Sequence, residues 1–213
     1  LSRGNLGGLD GRLRPVQDVF RIFELLKTHF GSDVEFRWVG GGVSGLILGR
    51  TDLSHDIDIA VIPKNGQSPE MISRQVRSFL DDCRAGKIKA QGINTNSHHQ
   101  QFEYNGKGVE LIPGAPRTSI SISTLAIDSD GRFIGSSEAI EDLRQGVIRL
   151  VDANGQTITA SHSGVDVDYI DALHRALRYK HQLGFRLAAE TEQIVRGVNY
   201  RGAIDRQDTR ELK

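Results

Sequence analysis

The chain has 213 residues, with 27 basic and 27 acidic side chains and a formal net charge of zero at pH 7. This balance excludes strong, non-specific nucleic-acid binding by the whole surface, so any such contact must come from a local patch. The apolar fraction of 38% is typical of a globular protein, and no apolar run approaches the length of a membrane span. A single cysteine, Cys83, excludes an intramolecular disulfide and fits a reducing compartment. We therefore expect a cytoplasmic protein with no membrane partner.

The chain opens with a glycine-rich segment, residues 1–14, which has few apolar anchors and is predicted to be a loose arm. From Pro15 apolar residues recur at helical spacing as far as Leu26, and Gly31 marks a stop. This pattern predicts an amphipathic helix that covers a sheet.

Three successive glycines, Gly40 to Gly42, follow a strand-like alternation that ends at Trp38 and precede an apolar helix with Leu46 to Leu48. Bare amides at the positive end of a helix dipole favour phosphate, because no Cβ keeps the ligand from the backbone. The turn is thus a candidate phosphate site, although a tight turn needed only for packing would look the same.

A second strand, His-Asp-Ile-Asp-Ile-Ala-Val, places Asp56 and Asp58 on one face and apolar residues on the other. Neighbouring carboxylates on a rigid strand are costly without a cation between them, and hard divalent cations take oxygen ligands. The pair therefore predicts a metal site, with a solvated acidic strand edge as the alternative.

A helix is predicted from the Ser68-Pro69 start to about Cys83, followed by two strands joined at Asn105-Gly106, a strong hairpin signal. The return strand carries Glu110. In an antiparallel sheet its carboxylate can face the Asp56 and Asp58 strand and supply a third metal ligand.

These segments resemble the nucleotidyltransferase signature of the polymerase-beta superfamily, and within it the class II CCA-adding enzyme and bacterial poly(A) polymerase family. The family pattern Gly-Gly-x-Val-Arg-Asp, apolar helix, Gly-Arg, Asp-Ile-Asp is matched here except that Ser44 and Gly45 replace the Arg-Asp pair. Similar runs follow in order at VELIPGAPR, SISTLAIDSDGRF, AIEDLRQGVIRLVD and HRALRYKHQLGFRL. The resemblance extends from about Phe36 to about Thr191.

The resemblance implies an α+β fold: a polymerase-beta-like nucleotidyltransferase head with a mixed sheet flanked by helices, residues 1–145, and a small helical neck, residues 146–213. It implies transfer of a nucleoside monophosphate from an NTP to the 3′ end of tRNA or another RNA, with no DNA partner. Two Mg²⁺ ions would be held by the catalytic carboxylates of Asp56, Asp58 and Glu110. The nucleotide-binding residues carried over are Gly40, Gly41, Ser44, Arg50, Arg117, Asp171, Arg175 and Arg178.

Two alternatives stay open at this stage. The same head could transfer a nucleotide to a small molecule or a protein, or the chain could be a catalytically weak nucleotide- or RNA-binding module. The missing Arg-Asp pair favours the second, and the three carboxylates oppose it. Arg175 and Arg178 could also simply pair with Asp171 on an exposed helix.

Base choice is the point at which this chain departs most from the family. A neck motif, Glu-Asp-x-x-Arg, reads the incoming base in the family, and the corresponding positions here are Asp168, Tyr169 and Ala172. The resemblance therefore implies that the usual base-reading arginine and one carboxylate are missing.

Overall fold

The computed structural model describes part of the chain, namely residues 14–50, 56–64, 66–88, 92–94, 101–114, 120–152, 155–159 and 167–197. The strands are β1 (Val34–Val39), β2 (Ile57–Pro63), β3 (Ile93–Asn94), β4 (Gln101–Tyr104), β5 (Lys107–Pro113), β6 (Ala126–Asp128), β7 (Phe133–Ile134), β8 (Val147–Ile148) and β9 (Arg186–Leu187). The helices are α1 (Arg14–Phe30), α2 (Gly41–Leu48), α3 (Pro69–Arg84), α4 (Ser137–Gln145), α5 (Val167–Leu183) and α6 (Ala189–Gly197). A short 3-10 helix spans Ser121–Thr124.

By internal contacts the chain divides into two compact units, Leu1–Pro116 with Ala126–Ile134, and Arg117–Leu125 with Gly135–Lys213. The first unit holds α1 to α3 and β1 to β7, and the second holds α4 to α6 with the strand pair β8 and β9. The assignment of residues 1–145 to a head and 146–213 to a neck stays a prediction. Among the described residues, no helix is long and apolar enough to cross a membrane.

The first unit is built on a mixed seven-stranded sheet in the order β3-β4-β5-β2-β1-β6-β7. The predicted α+β class with a mixed sheet flanked by helices is confirmed. One detail of the prediction is wrong: β5, which carries Glu110, runs parallel to β2 and antiparallel only to β4. The hairpin at Asn105 reverses the chain once, and that sets the direction of β5 against β4 but not its direction against β2.

One face of this sheet carries the main apolar core of the unit. Phe36 on β1, Phe79 on α3 and Phe102 on β4 are each at most 1% exposed. The rings of Phe79 and Phe102 meet edge to face with centroids 5.8 Å apart, and Phe30 at the end of α1 contacts both Phe36 and Phe79. These aromatic contacts hold α1 and α3 against the sheet, so the strands form a rigid support for side chains on the opposite face.

The structure contains the helix start and the hairpin turn that the sequence predicts. Ser68 caps α3, since its Oγ accepts the N–H of Met71 at 3.3 Å, and Pro69 is the first helical residue. Asn105 and Gly106 have φ values of 50° and 79°, as a two-residue hairpin turn with positive φ at both central positions requires. These helix-start and hairpin predictions are confirmed.

In the second unit, α5 buries one stripe of residues and exposes another. Leu173 and Ala176 are fully buried and Leu177 is half-buried. Arg175 and Arg178 are exposed. The described side chains of α5 therefore form an amphipathic helix.

Candidate active site

Two carboxylates face each other across the only parallel pairing among the described strands of the large sheet. Asp58 on β2 lies directly opposite Glu110 on β5, and the preceding residues Ile57 and Val109 form the neighbouring pair. Since side chains alternate between faces along a strand, Ile57 and Val109 are buried in the core while Asp58 and Glu110 extend from the other face, half-buried. Parallel in-register pairing therefore brings both carboxylates to one side of the sheet.

Asp56 completes the acidic group one residue before β2 begins. The period of two places it on the same face as Asp58, and its side chain is exposed. A Cβ added to Gly108 on β5 would meet Asp56 Oδ1 at 2.5 Å. The carboxylate thus lies over bare backbone at the start of β5, two residues before Glu110.

Asp58 makes the corresponding contact on the other side of β2. Its Oδ2 lies where a Cβ on Gly40, the residue after β1, would have to be. Asp58 is also the register partner of Val39 at the end of β1. Asp58 therefore leans towards the glycine turn and Asp56 towards β5, and both carboxylates pack on backbone that carries no side chain.

The glycine turn itself adopts a conformation that other residues avoid. Gly40 has φ 80° and ψ −157° and is the N-cap of α2, with no side chain capping the helix. The first amides of α2 at Gly41 and Gly42 lie in the first turn, where helices leave N–H groups without an intrahelical acceptor. The positive end of the helix dipole thus faces the same edge as Asp58.

Trp38 lies beneath this turn and was not indicated by the sequence as part of the site. A Cβ on Gly42 would meet the indole Cζ2 at 2.8 Å and Nε1 at 2.9 Å, so the first turn of α2 packs directly on the ring. The ring is 4% exposed and its Nε1 has no hydrogen-bond partner among the described residues. Gly42 is thus required for close packing, whereas Gly40 is required for backbone shape and for space next to Asp58.

The other predicted nucleotide contacts fall into three groups. Ser44 is buried in α2, and Arg50 is half-buried just after the left-handed Gly49 that ends this helix. Arg175 and Arg178 lie on α5 in the second unit, with the Arg178 guanidinium 5.7 Å from the Tyr179 ring centroid. Asp171 lies on α5, but its side chain is outside the described part of the chain, as is the whole of Arg117.

Within the described residues, no three His, Cys, Asp or Glu side chains converge closely enough to hold a metal ion. The donor set nevertheless fits Mg²⁺, which takes oxygen ligands and is usually held by one or two carboxylates together with substrate phosphates. The spaces over Gly40 and Gly108, which a Cβ would fill, are occupied by two of these carboxylates.

Comparison with known proteins finds relatives of one kind. A CCA-adding enzyme of Lactiplantibacillus plantarum is 25% identical over 80% of this chain and 42% of its own length. A CCA-adding enzyme of Leuconostoc mesenteroides is 28% identical over 76% of this chain and 40% of its own length. No family model matches the chain.

Solved structures give the same result for the fold. A CCA-adding enzyme in complex with CTP superposes with a TM-score of 0.60 at 20% identity, over 93% of this chain and 45% of that one. The Thermotoga maritima CCA-adding enzyme in complex with tRNA has a TM-score of 0.56 at 20% identity, over 91% of this chain and 44% of that one. The chain therefore spans less than half the length of each of these four proteins.

Proposed function

Because this chain is related over most of its length to the CCA-adding enzymes, we propose that it is a metal-dependent nucleotidyltransferase acting on an RNA 3′ end, with tRNA as the preferred acceptor. The reaction is attack of the terminal hydroxyl on the α-phosphorus of an NTP, with release of pyrophosphate. The observation that carries the proposal is the register of Asp58 with Glu110 beside the uncapped first turn of α2.

Asp56, Asp58 and Glu110 would hold two Mg²⁺ ions. When bound, these ions would lower the pKa of the attacking hydroxyl and neutralise charge on the triphosphate. The chain itself contributes rigidity: Asp58 and Glu110 project from paired strands whose other face is the buried core. Fixed carboxylates need no reorganisation during the reaction, which is the main benefit of a preorganised site.

The glycine turn would receive the triphosphate. Amides of Gly41 and Gly42 and the dipole of α2 offer hydrogen bonds and positive potential to phosphate oxygens. Gly40 makes room for the Asp58 carboxylate beside the turn, because a Cβ there would collide with Asp58 Oδ2. This arrangement supports a triphosphate lying between the turn and the acidic face of β2 and β5.

Transfer can be tested with the chain as it stands. The protein is incubated with Mg²⁺, each labelled NTP in turn, and a tRNA lacking its 3′ end. We expect label on the RNA with the wild type and none with Asp58→Asn. The matched control is Asp33→Asn, an exposed aspartate in the same unit, which should transfer at the wild-type rate. Wild-type transfer by Asp58→Asn would contradict the proposed mechanism.

A second measurement does not require the RNA. Mg²⁺ with an NTP should raise the melting temperature of the wild type, since a ligand that binds only the folded state stabilises it. The increase should disappear in Asp58→Asn and Glu110→Gln but persist in Asp33→Asn. An equal increase in all four proteins would show that the carboxylates do not hold the metal and nucleotide.

A non-catalytic nucleotide- or RNA-binding module is the second candidate. It is favoured by Ser44 and Gly45, which stand where the family has Arg-Asp and are both buried, so neither offers a charged group to a triphosphate. This candidate predicts NTP-dependent stabilisation without transfer to any acceptor. Label appearing on a small molecule or a protein, and not on RNA, would instead support the other acceptor classes.

A further inference from the structure

Gly108 on β5 lies against the acidic group of Asp56, Asp58 and Glu110. No sequence motif points to this glycine. It lies two residues before Glu110, so a side chain there would extend from the same face of the sheet as Glu110. That space is taken by Asp56: a Cβ on Gly108 would lie 2.5 Å from Oδ1 and 3.3 Å from Cγ. Asp56 thus reaches across from β2 onto the backbone of β5.

Backbone conformation does not explain this glycine. Gly108 is absent from the glycines with positive φ, unlike Gly106 at the hairpin turn, and it sits inside a regular strand. Alanine fits such a backbone and is favoured over glycine in a strand, because glycine loses more conformational freedom on folding. The requirement for glycine therefore comes from the contact with Asp56.

We propose that Gly108 is a positioning residue, which keeps the Asp56 carboxylate on the β5 side of β2, over the face of the sheet that carries Glu110. A methyl group at this position would displace the carboxylate from β5, because a Cβ 2.5 Å from an oxygen is closer than real contacts and the exposed Asp56 side chain can rotate away. The effect of Gly108 on catalysis rests on the proposed nucleotidyl transfer. The contact between Gly108 and Asp56 does not depend on that function.

The contact is tested by a cycle of Gly108→Ala, Asp56→Ala and the double variant, followed by urea denaturation without metal. In the wild-type background Gly108→Ala should give a lower urea midpoint, relative to its parent, than it does in the Asp56→Ala background, because only the wild-type background contains the displaced carboxylate. In the Asp56→Ala background the same change should leave the midpoint unchanged or raise it, because the clashing carboxylate is gone and alanine favours the strand. A glycine whose role does not involve Asp56 would show the same change of midpoint in both backgrounds, and that result would overturn the inference.

Metal binding tests whether the position of Asp56 matters for the site. Mn²⁺ affinity, followed by the electron paramagnetic resonance signal of the free ion, should fall about 10–100-fold in Gly108→Ala, the range seen when the support of a metal ligand is removed. The matched control is Gly197→Ala, at the end of α6, where φ is ordinary and no atom lies within 4 Å of an added Cβ. It should bind Mn²⁺ as the wild type does.

The two proposals can fail separately. If the wild type transfers no nucleotide and binds no Mn²⁺, the proposed function fails while the denaturation cycle still decides whether Gly108 positions Asp56. If the wild type transfers nucleotide and Gly108→Ala does so with unchanged rate and Mn²⁺ affinity, the inference about Gly108 is overturned and the proposed function stands.

Discussion

Arg149 binds both carboxylate oxygens of Asp142: its Nε donates to Oδ2 and its Nη2 donates to Oδ1, and each donor–acceptor distance is 3.1 Å. The Ser121 hydroxyl donates to the same Oδ2 at 2.6 Å, and the Ser121 N–H donates to the Arg149 carbonyl at 2.8 Å. Asp142 is 4% exposed, so three donors satisfy a buried carboxylate. The hydrogen bonds with Asp142 raise the pKa of Arg149 above its usual value. This cluster ties α4, the 3-10 helix and the residue after β8 together.

We expect Asp142→Ala to destabilise the second unit by about 1–3 kcal/mol, because it removes the buried acceptor that Arg149 and Ser121 share. Arg149 keeps a second carboxylate partner in Glu138, whose Oε1 lies 3.3 Å from its Nε. The lower part of that range reflects the Arg149 side chain, which is 22% exposed and so partly solvated. The control is Glu141→Ala, an exposed neighbour on the same helix, which should change stability by about 0.5 kcal/mol or less. Urea denaturation followed by circular dichroism measures both. Equal losses would mean that the cluster does not stabilise the unit.

The Gly41→Val substitution separates phosphate binding from packing at the turn. Gly41 is the first residue of α2 and half-buried, so valine there should change the free energy of unfolding by only about 1 kcal/mol. NTP affinity should fall much further, since branched carbons would keep phosphate oxygens out of range of the amides. Isothermal titration with each NTP, beside a denaturation curve, gives both quantities. Matching losses of affinity and stability would favour a glycine needed only for packing.

Cys83 makes stability depend on pH in the alkaline range. The thiol is 1% exposed at the end of α3, as expected for a packing residue, and burial raises its pKa to about 11, with Asp82 adding to the effect. The pKa of a cysteine thiol in an unfolded chain is about 8.5. The folded state therefore keeps the Cys83 thiol protonated up to a higher pH than the unfolded state does. The resulting contribution to stability is full below about pH 8.5 and is lost as the pH rises to about 11. Stability should fall less steeply over this window in Cys83→Ala than in the wild type.

Local features of this chain could be predicted because short-range chemistry decides them. The Ser68 cap and the Asn105-Gly106 turn depend on residues within four positions of each other. The same holds for the alternation that places Asp56 and Asp58 on one face. Candidate residues on such elements could therefore be named in advance.

Features that depend on distant strands could not be predicted in the same way. The parallel pairing of β2 with β5 joins segments separated by α3 and a hairpin, and nothing local in either strand sets their relative direction. The role of Gly108 follows from that pairing, since only the pairing brings Asp56 over it. A glycine inside a strand pattern was the available signal, because it often marks a close approach of backbone to another group.

The last prediction concerns base choice. In the alignment with the family, Ala172 stands where the family has its base-reading arginine. Ala172 is 2% exposed in α5 and offers no donor to a base. A site without polar groups that a wrong base would leave unpaired loses its means of rejecting that base. Stacking on an aromatic ring binds all bases alike.

We therefore expect the protein to use one purine triphosphate preferentially or several NTPs loosely, and not to build an ordered C-C-A end. The measurement is kcat/KM for each NTP with a tRNA lacking its 3′ end, followed by sequencing of the products. Arg175 and Arg178 are exposed within the next two turns of α5 and could supply another reader. If they do, Arg175→Met and Arg178→Met should relax the choice further. Faithful addition of C, C and then A by the wild type would show that the missing arginine has been replaced and that the prediction is wrong.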